Sequence, residues 1–198
     1  MTERDMAVTG KTVCYSYRPS LLGASREFSL TGHSIDWVAG ARSGSTPFSQ
    51  VRRLRMSYRP TSMQSHRFLT ELWAAGSPKL QIVSSSWKSM MEQERLDRSY
   101  STFIQELHRQ ILKVNSSAQF ERGISPLVFW PGVIVFVAAA FGLAALISRA
   151  LQAGATTSAA IVGAFLLLYL WQAGNFFRRN RPGTYRPDAL PADVMPSE

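Results

Sequence analysis

The chain has 198 residues, 22 Lys and Arg against 13 Asp and Glu for a net charge of +9, and one cysteine. That length holds one domain of ordinary size plus an anchor and excludes two large globular domains, because single cores occupy about 100–200 residues. The lone Cys14 excludes an intramolecular disulfide, and the Cys/His spacings of structural zinc sites do not occur.

Residues 1–11 carry Glu3, Arg4 and Asp5 and lack the apolar run of a signal peptide. They read as a flexible N-terminus that stays on the side where it is made. From Thr12 to about Ser86, short alternating segments are separated by turn residues. REFSLT places Phe28 and Leu30 on one face, and HSIDWVAG repeats the alternation with Ile35 and Trp37. The stretch GARSGST reads as a turn. QVRRLRMSYRP then sets Leu54, Met56 and Tyr58 opposite Arg53, Arg55 and Arg59. HRFLTELWAA and KLQIVSS, split at Gly76 to Pro78, form a further hairpin.

A helix follows, with Leu96, Tyr100, Phe103, Ile104, Leu107 and Ile111 recurring at helical spacing. Acidic residues toward its start and Arg109 and Lys113 toward its end suit the helix dipole. Its apolar stripe needs the preceding strands as cover, which predicts an α+β domain over 12–114: an antiparallel barrel or sandwich closed by an amphipathic helix. Residues 115–125 read as a linker.

Two long uncharged stretches come next, 26 residues between Arg122 and Arg149 and 28 between Arg149 and Arg178. About 20 helical residues cross a hydrocarbon core of ~30 Å, so spans are expected over 126–148 and 158–177, joined by an outer loop over 149–157. Pro126 and Pro131 sit in the opening turns of the first helix, and Thr156, Thr157 or Ser158 can cap the second. Small residues spaced by four, Ala138 with Gly142, Ala140 with Ala144 and Ala159 with Gly163, would allow close approach within the hairpin. Neither span carries an Asp, Glu, Lys, Arg or His, which argues against an ion or proton pathway.

The loop holds one basic residue, Arg149. Arg178, Arg179 and Arg181 follow the second span and Arg122 precedes the first, so both termini are expected in the cytoplasm. Trp130, Tyr169 and Trp171 are the expected aromatic anchors at that interface, together with Arg178, Arg179 and Arg181. Residues 178–198 read as a Pro- and Arg-containing cytoplasmic tail.

The segment order REFSLTGHSIDWV, STPFSQVRRLRM, FLTELWAAGSPKLQIVSSSW and YSTFIQELHRQIL resembles the pleckstrin-homology-like (PH-like) domains of bacterial membrane proteins of unassigned function. The resemblance covers roughly Thr12 to Val114 and includes no short invariant motif. It implies a binding or scaffolding role at the bacterial inner membrane, without guaranteeing lipid binding.

Seventeen Lys and Arg against ten Asp and Glu over Met1 to Ser125 make the N-terminal part basic. Arg53, Arg55 and Arg59 are the candidate anionic-lipid contacts, weighed against an ordinary solvated strand face. Nucleic acid is disfavoured as a partner because no reader motif accompanies the arginines. His33, His66 and His108 share no metal spacing and read as surface or edge residues. Cys14 reads as a small buried side chain, and Trp37, Trp73 and Trp87 as core or domain-edge aromatics. No GxSxG, Walker A or HExxH sequence occurs, so no catalytic residue, metal ligand or cofactor site is assigned. The expected function is a membrane-anchored, non-enzymatic binding or scaffold protein whose partners are the bilayer, anionic lipid, or a cytosolic or membrane protein. The competing class is a membrane-bound enzyme or an accessory subunit of a membrane complex.

Overall fold

The computed structural model describes residues 13–60, 66–88, 93–114 and 117–196. The N-terminal stretch expected to be flexible lies outside them. The described residues form a mixed α+β fold with antiparallel sheets and two long apolar C-terminal helices.

The first sheet is a meander of β1 (Val13–Tyr17), β2 (Arg26–Leu30), β3 (Ser34–Ala39) and β4 (Arg42–Pro47), paired antiparallel in that order. Alternation decides which side chains face inward: Tyr15, Tyr17, Phe28, Leu30 and Ile35 are buried. Cys14 falls on the other face of β1 and is exposed, contrary to expectation. Most of GARSGST is strand rather than turn. Only Gly40 and Ala41 connect β3 to β4, with Gly40 at φ 63° in the left-handed region. Gly44 sits opposite Trp37, and a Cβ there would lie 2.7 Å from the indole Cζ2, so the ring lies over a position that only glycine leaves open.

The second sheet is ordered β11-β10-β5-β6-β7. It contains β5 (Val51–Tyr58), β6 (Phe68–Ala74), β7 (Leu80–Val83), β10 (Gln119–Arg122) and β11 (Gly183–Thr184). Leu54, Met56 and Tyr58 are buried, as the alternation of β5 requires. The stretch read as a linker contributes β10, which pairs parallel to β5 with Phe120 opposite Leu54. A separate two-stranded ribbon joins β8 (Ser85–Trp87) and β9 (Gln93–Arg95). Among the described residues, each of the three sheets is open and none closes into a barrel.

Helix α1 (Asp97–Val114) buries Tyr100, Phe103, Ile104, Leu107 and Ile111, the stripe its spacing demands. Phe103 packs 5.4 Å from the Tyr15 ring and 6.4 Å from Phe28, while the Tyr100 hydroxyl hydrogen-bonds Thr70 Oγ1 at 2.6 Å. The helix therefore touches both sheets and fills the space between them.

Helices α2 (Pro126–Gln152) and α3 (Thr156–Arg179) are long and apolar enough to cross a membrane. They expose large apolar side chains outward, Leu127 at 87% and Phe141 at 73% among them. Pro126 stands at the start of α2, and Pro131 lies within it. The N-cap of α3 is Ala155, without a side-chain hydrogen bond, so the expected Thr156, Thr157 or Ser158 cap is not made. The contact between the two helices is an aromatic seam: Phe129 to Phe177 at 5.8 Å and Phe136 to Tyr169 at 5.1 Å. A Cβ at Gly142 or Gly163 would meet no atom within 4 Å, so these glycines do not mark a close backbone approach. Bulky rings near the foot set the separation instead.

The chain then returns to the domain. Val194 and Met195 are buried in the same hydrophobic core as α1 and both sheets, with Tyr185 and Leu190 packed against it. His108 is buried too, at 1% exposure, rather than lying at a surface. Its Nδ1–H donates to the Ile104 carbonyl at 2.7 Å, which leaves Nε2 to accept from the Tyr185 hydroxyl at 2.7 Å. Burial pushes the imidazole down from 6.5 to about 4. Between those values the unfolded chain binds a proton that the folded one excludes, so this contribution is complete above about pH 6.5 and is lost as pH falls toward 4. The expected loss is roughly 3 kcal/mol. Thermal unfolding of the full chain across that window checks it, and His108→Gln is expected to flatten the profile.

Candidate functional site

Strand β5 runs toward the helical pair and ends at Tyr58, where the chain leaves for α2 and comes back from α3. Gly123, at φ 76°, donates its N–H to the Met56 carbonyl at 2.8 Å. A Cβ on Gly123 would lie 2.4 Å from the Asn180 carbonyl oxygen, so the outgoing and returning strands cross at a residue that must be glycine. Ile124 N–H donates to that same Asn180 oxygen at 3.1 Å.

Asn180 completes the clamp. Its Oδ1 accepts the Tyr58 N–H at 3.0 Å, and its Nδ2 donates to the Tyr58 carbonyl at 2.8 Å. A fully buried side-chain amide thus stands in for a neighbouring strand at the end of β5. The Tyr58 ring carries the Arg179 guanidinium 4.7 Å from its centroid, and its hydroxyl shares a hydrogen bond with His66 Nδ1 at 2.6 Å.

Beside this clamp opens a cavity of about 500 Å³, with Tyr58 and His66 on the domain side and Tyr169, Trp171, Gln172 and Asn175 on α3. Arg178 Nη2 donates to Asn175 Oδ1 at 3.2 Å, at the rim. The α3 wall carries aromatic rings and two amides, and the domain wall offers a phenol and an imidazole. Such a combination suits a ligand with an apolar part and a polar head.

The sequence-derived residues divide between this site and another. Trp171 is 69% exposed and Trp130 61%, the latter with its ring edge-on to Phe129 at 5.4 Å. Tyr169 instead donates its hydroxyl to the Phe136 carbonyl at 3.3 Å. Arg178 and Arg179 reach the cavity rim, and Arg181 follows at the strand crossing. Arg59 is exposed immediately after Tyr58.

Arg53 and Arg55 lie elsewhere. The Arg53 guanidinium stacks 4.2 Å over Trp73, and Arg55 Nε donates to Glu121 Oε2 at 2.9 Å. At ~3.3 Å per residue, Arg53 sits about 16 Å from Tyr58, toward the end of β5 remote from the helices. Nearby, burial pushes the Glu71 carboxyl up, but hydrogen bonds from Lys79 and Gln81 outweigh it and hold the group below its usual range. This face is a paired network within the sheet, and the three arginines do not form one patch. Arg55→Gln is expected to lower the thermal midpoint of the full chain by about 2–4 °C, because a half-buried ion pair is worth ~1 kcal/mol. Arg59→Gln should leave the midpoint unchanged.

Sequence reasoning missed Asn180, His66, Gln172, Asn175 and Gly123. Gln172 and Asn175 carried a readable signal, since two amides three residues apart interrupt an apolar helix on one face. Asn180 and Gly123 carried none, because their role exists only where distant strands cross. Among the described residues, no group of three or more His, Cys, Asp and Glu could hold a metal ion. No family model, curated protein or solved structure matches the chain.

Proposed function

We propose that the chain is a membrane-anchored, non-enzymatic binding or scaffold protein that holds a PH-like domain rigidly against the cytoplasmic face of a membrane, the bacterial inner membrane in the setting the resemblance implies. One observation carries this reading. The domain core is assembled from residues on both sides of the α2–α3 pair, with Tyr185, Val194 and Met195 packed among the residues of α1 and β5. A core cannot be divided by a bilayer, so a spanning pair must begin and end on the same side. Two tethers, one at each end of the pair, restrict the domain far more than a single linker would. A domain fixed in this way suits presentation of one surface to a cytosolic or membrane protein, with α1 and the sheets as its frame. The basic residues at the foot, Arg178, Arg179 and Arg181, favour the cytoplasmic side.

Cys14 provides the test of sidedness, since it is exposed and is the chain's one cysteine. A membrane-impermeant maleimide is expected to label it only after lysis, whereas Gly154→Cys in a Cys14→Ser background is expected to react in intact cells. Labelling of Cys14 in intact cells contradicts the reading. For the binding role, a partner should co-purify in mild detergent with the wild type and be lost when Phe103→Asp dismantles the domain. Equal recovery with both chains contradicts a role for the domain.

A further inference from the structure

We infer that the cavity at the foot of the helical pair holds the headgroup and glycerol region of one anionic glycerophospholipid. This rests on the reading that α2 and α3 span a bilayer. Its first support is position. Tyr169 lies ten residues before Arg179, about 15 Å along the helix, while the interfacial layer of each leaflet is roughly 5–8 Å thick. A cavity running from Tyr58 and His66 to Tyr169 therefore crosses that layer and reaches the upper acyl region.

Its second support is the chemistry of the lining. Gln172 and Asn175 stand on one face of α3, about 10 Å and 6 Å before Arg179, so the pair straddles the boundary between the interfacial layer and the hydrocarbon. A side-chain amide turned toward acyl chains is costly, and polar residues at such depth mark cavities and ligand sites. Here both amides line the cavity, where ester carbonyls and phosphate oxygens can accept from their N–H groups. Tyr169 and Trp171 supply the aromatic wall that glycerol and the first methylenes need, and that a free phosphate would leave unused.

Charge selects the sign of the headgroup. Among the described residues that line the cavity, none is acidic. Arg179 is stacked on Tyr58 and Arg178 is bonded to Asn175, so two guanidinium groups are held at lining residues, with Arg59 next to Tyr58 in the chain. The volume of about 500 Å³ falls within the range of pockets that enclose small ligands.

The test uses the full chain with Trp130→Phe, reconstituted in phosphatidylcholine bilayers, so that Trp171 is the one tryptophan on the helical pair. Phosphatidylglycerol or phosphatidylcholine brominated high on the acyl chains is titrated in, and tryptophan quenching is read per mole fraction. Phosphatidylglycerol is expected to quench about fivefold more strongly, the partition factor that one basic side chain near an anionic headgroup supplies. That selectivity should fall toward one in Arg178→Gln/Arg179→Gln and in Gln172→Leu/Asn175→Leu. Equal quenching by the two lipids in the parent overturns the site, as does selectivity that survives unchanged in both double variants. Co-flotation of protein with the vesicles separates the two readings: protein that floats without selectivity overturns the lipid site alone, and protein that fails to float overturns the anchor as well.

Discussion

Phe103→Asp is expected to unfold the domain outright. Phe103 is fully buried between the rings of Tyr15 and Phe28, on the helix that touches both sheets. Losing a buried phenylalanine costs about 3–5 kcal/mol, and the carboxylate that replaces it finds no partner in an apolar surround. The sum approaches the whole stability of an ordinary domain, about 5–15 kcal/mol. Leu107→Asp, one turn further along the same buried stripe, should do the same. Limited proteolysis of the full chain in mild detergent reads the result: cleavage is expected throughout residues 13–122, with α2 and α3 still resistant. Resistance equal to wild type in both variants would mean that α1 does not fill the space between the sheets.

Ending the chain at Arg181 is expected to have an effect of similar size from a site far away in sequence. It removes Tyr185, Leu190, Val194 and Met195 from the core. Fully burying one such side chain is worth about 1.5–3 kcal/mol, so their joint loss costs several kcal/mol. His108 also loses the hydroxyl that donates to Nε2, which leaves a buried acceptor unpaired at a further cost of ~1–3 kcal/mol. The truncated chain should be cut by protease within the domain at least as readily as Phe103→Asp. A Val194→Asp substitution reports the same core without altering the length. A truncated chain as resistant as the wild type would show that the returning segment adds nothing to the domain.

These two cases mark where the sequence was legible. Strands β2, β3 and β5 and helix α1 could be read because each carries its own period, with Phe28, Leu30 and Ile35 alternating and Phe103, Leu107 and Ile111 recurring on one helical face. The long helices could be read from length and lack of charge. Strand β4 could not, because RSGSTP has no apolar alternation and becomes strand only by pairing with β3 under the Trp37 ring. Nor could β10 and β11, which have four and two residues and find their partners far along the chain. The tail reads from sequence only as a Pro- and Arg-containing cytoplasmic segment, and the burial of Val194 depends on a core built mostly from residues before Val114.

The candidate site was legible in the same uneven way. Trp171, Arg178 and Arg179 follow from charge and aromatic placement at the end of an apolar run. Arg53 and Arg55 were grouped with Arg59 because alternation puts them on one strand face, but alternation says nothing of Glu121 and Trp73, which engage two of the three. His66 enters the site by folding back onto Tyr58, whose hydroxyl and ring it meets, a contact that local sequence does not announce.

One core is assembled from residues on both sides of the helical pair, and a cross-link joining those two sides tests this most directly. Glu121 and Thr184 are register partners in β10 and β11, at a spacing that antiparallel strands place within disulfide reach. In a Cys14→Ser chain carrying Glu121→Cys, Thr184→Cys and a protease site inserted after Gly154, protease added outside intact cells should cut the loop, and the membranes are then isolated and treated with copper phenanthroline, the oxidant that joins the two thiols which the cytosol keeps reduced. The two halves are expected to stay joined on a non-reducing gel and to separate on reduction. Halves that separate without reductant, after the loop has been cut, would contradict a returning segment that pairs with the domain.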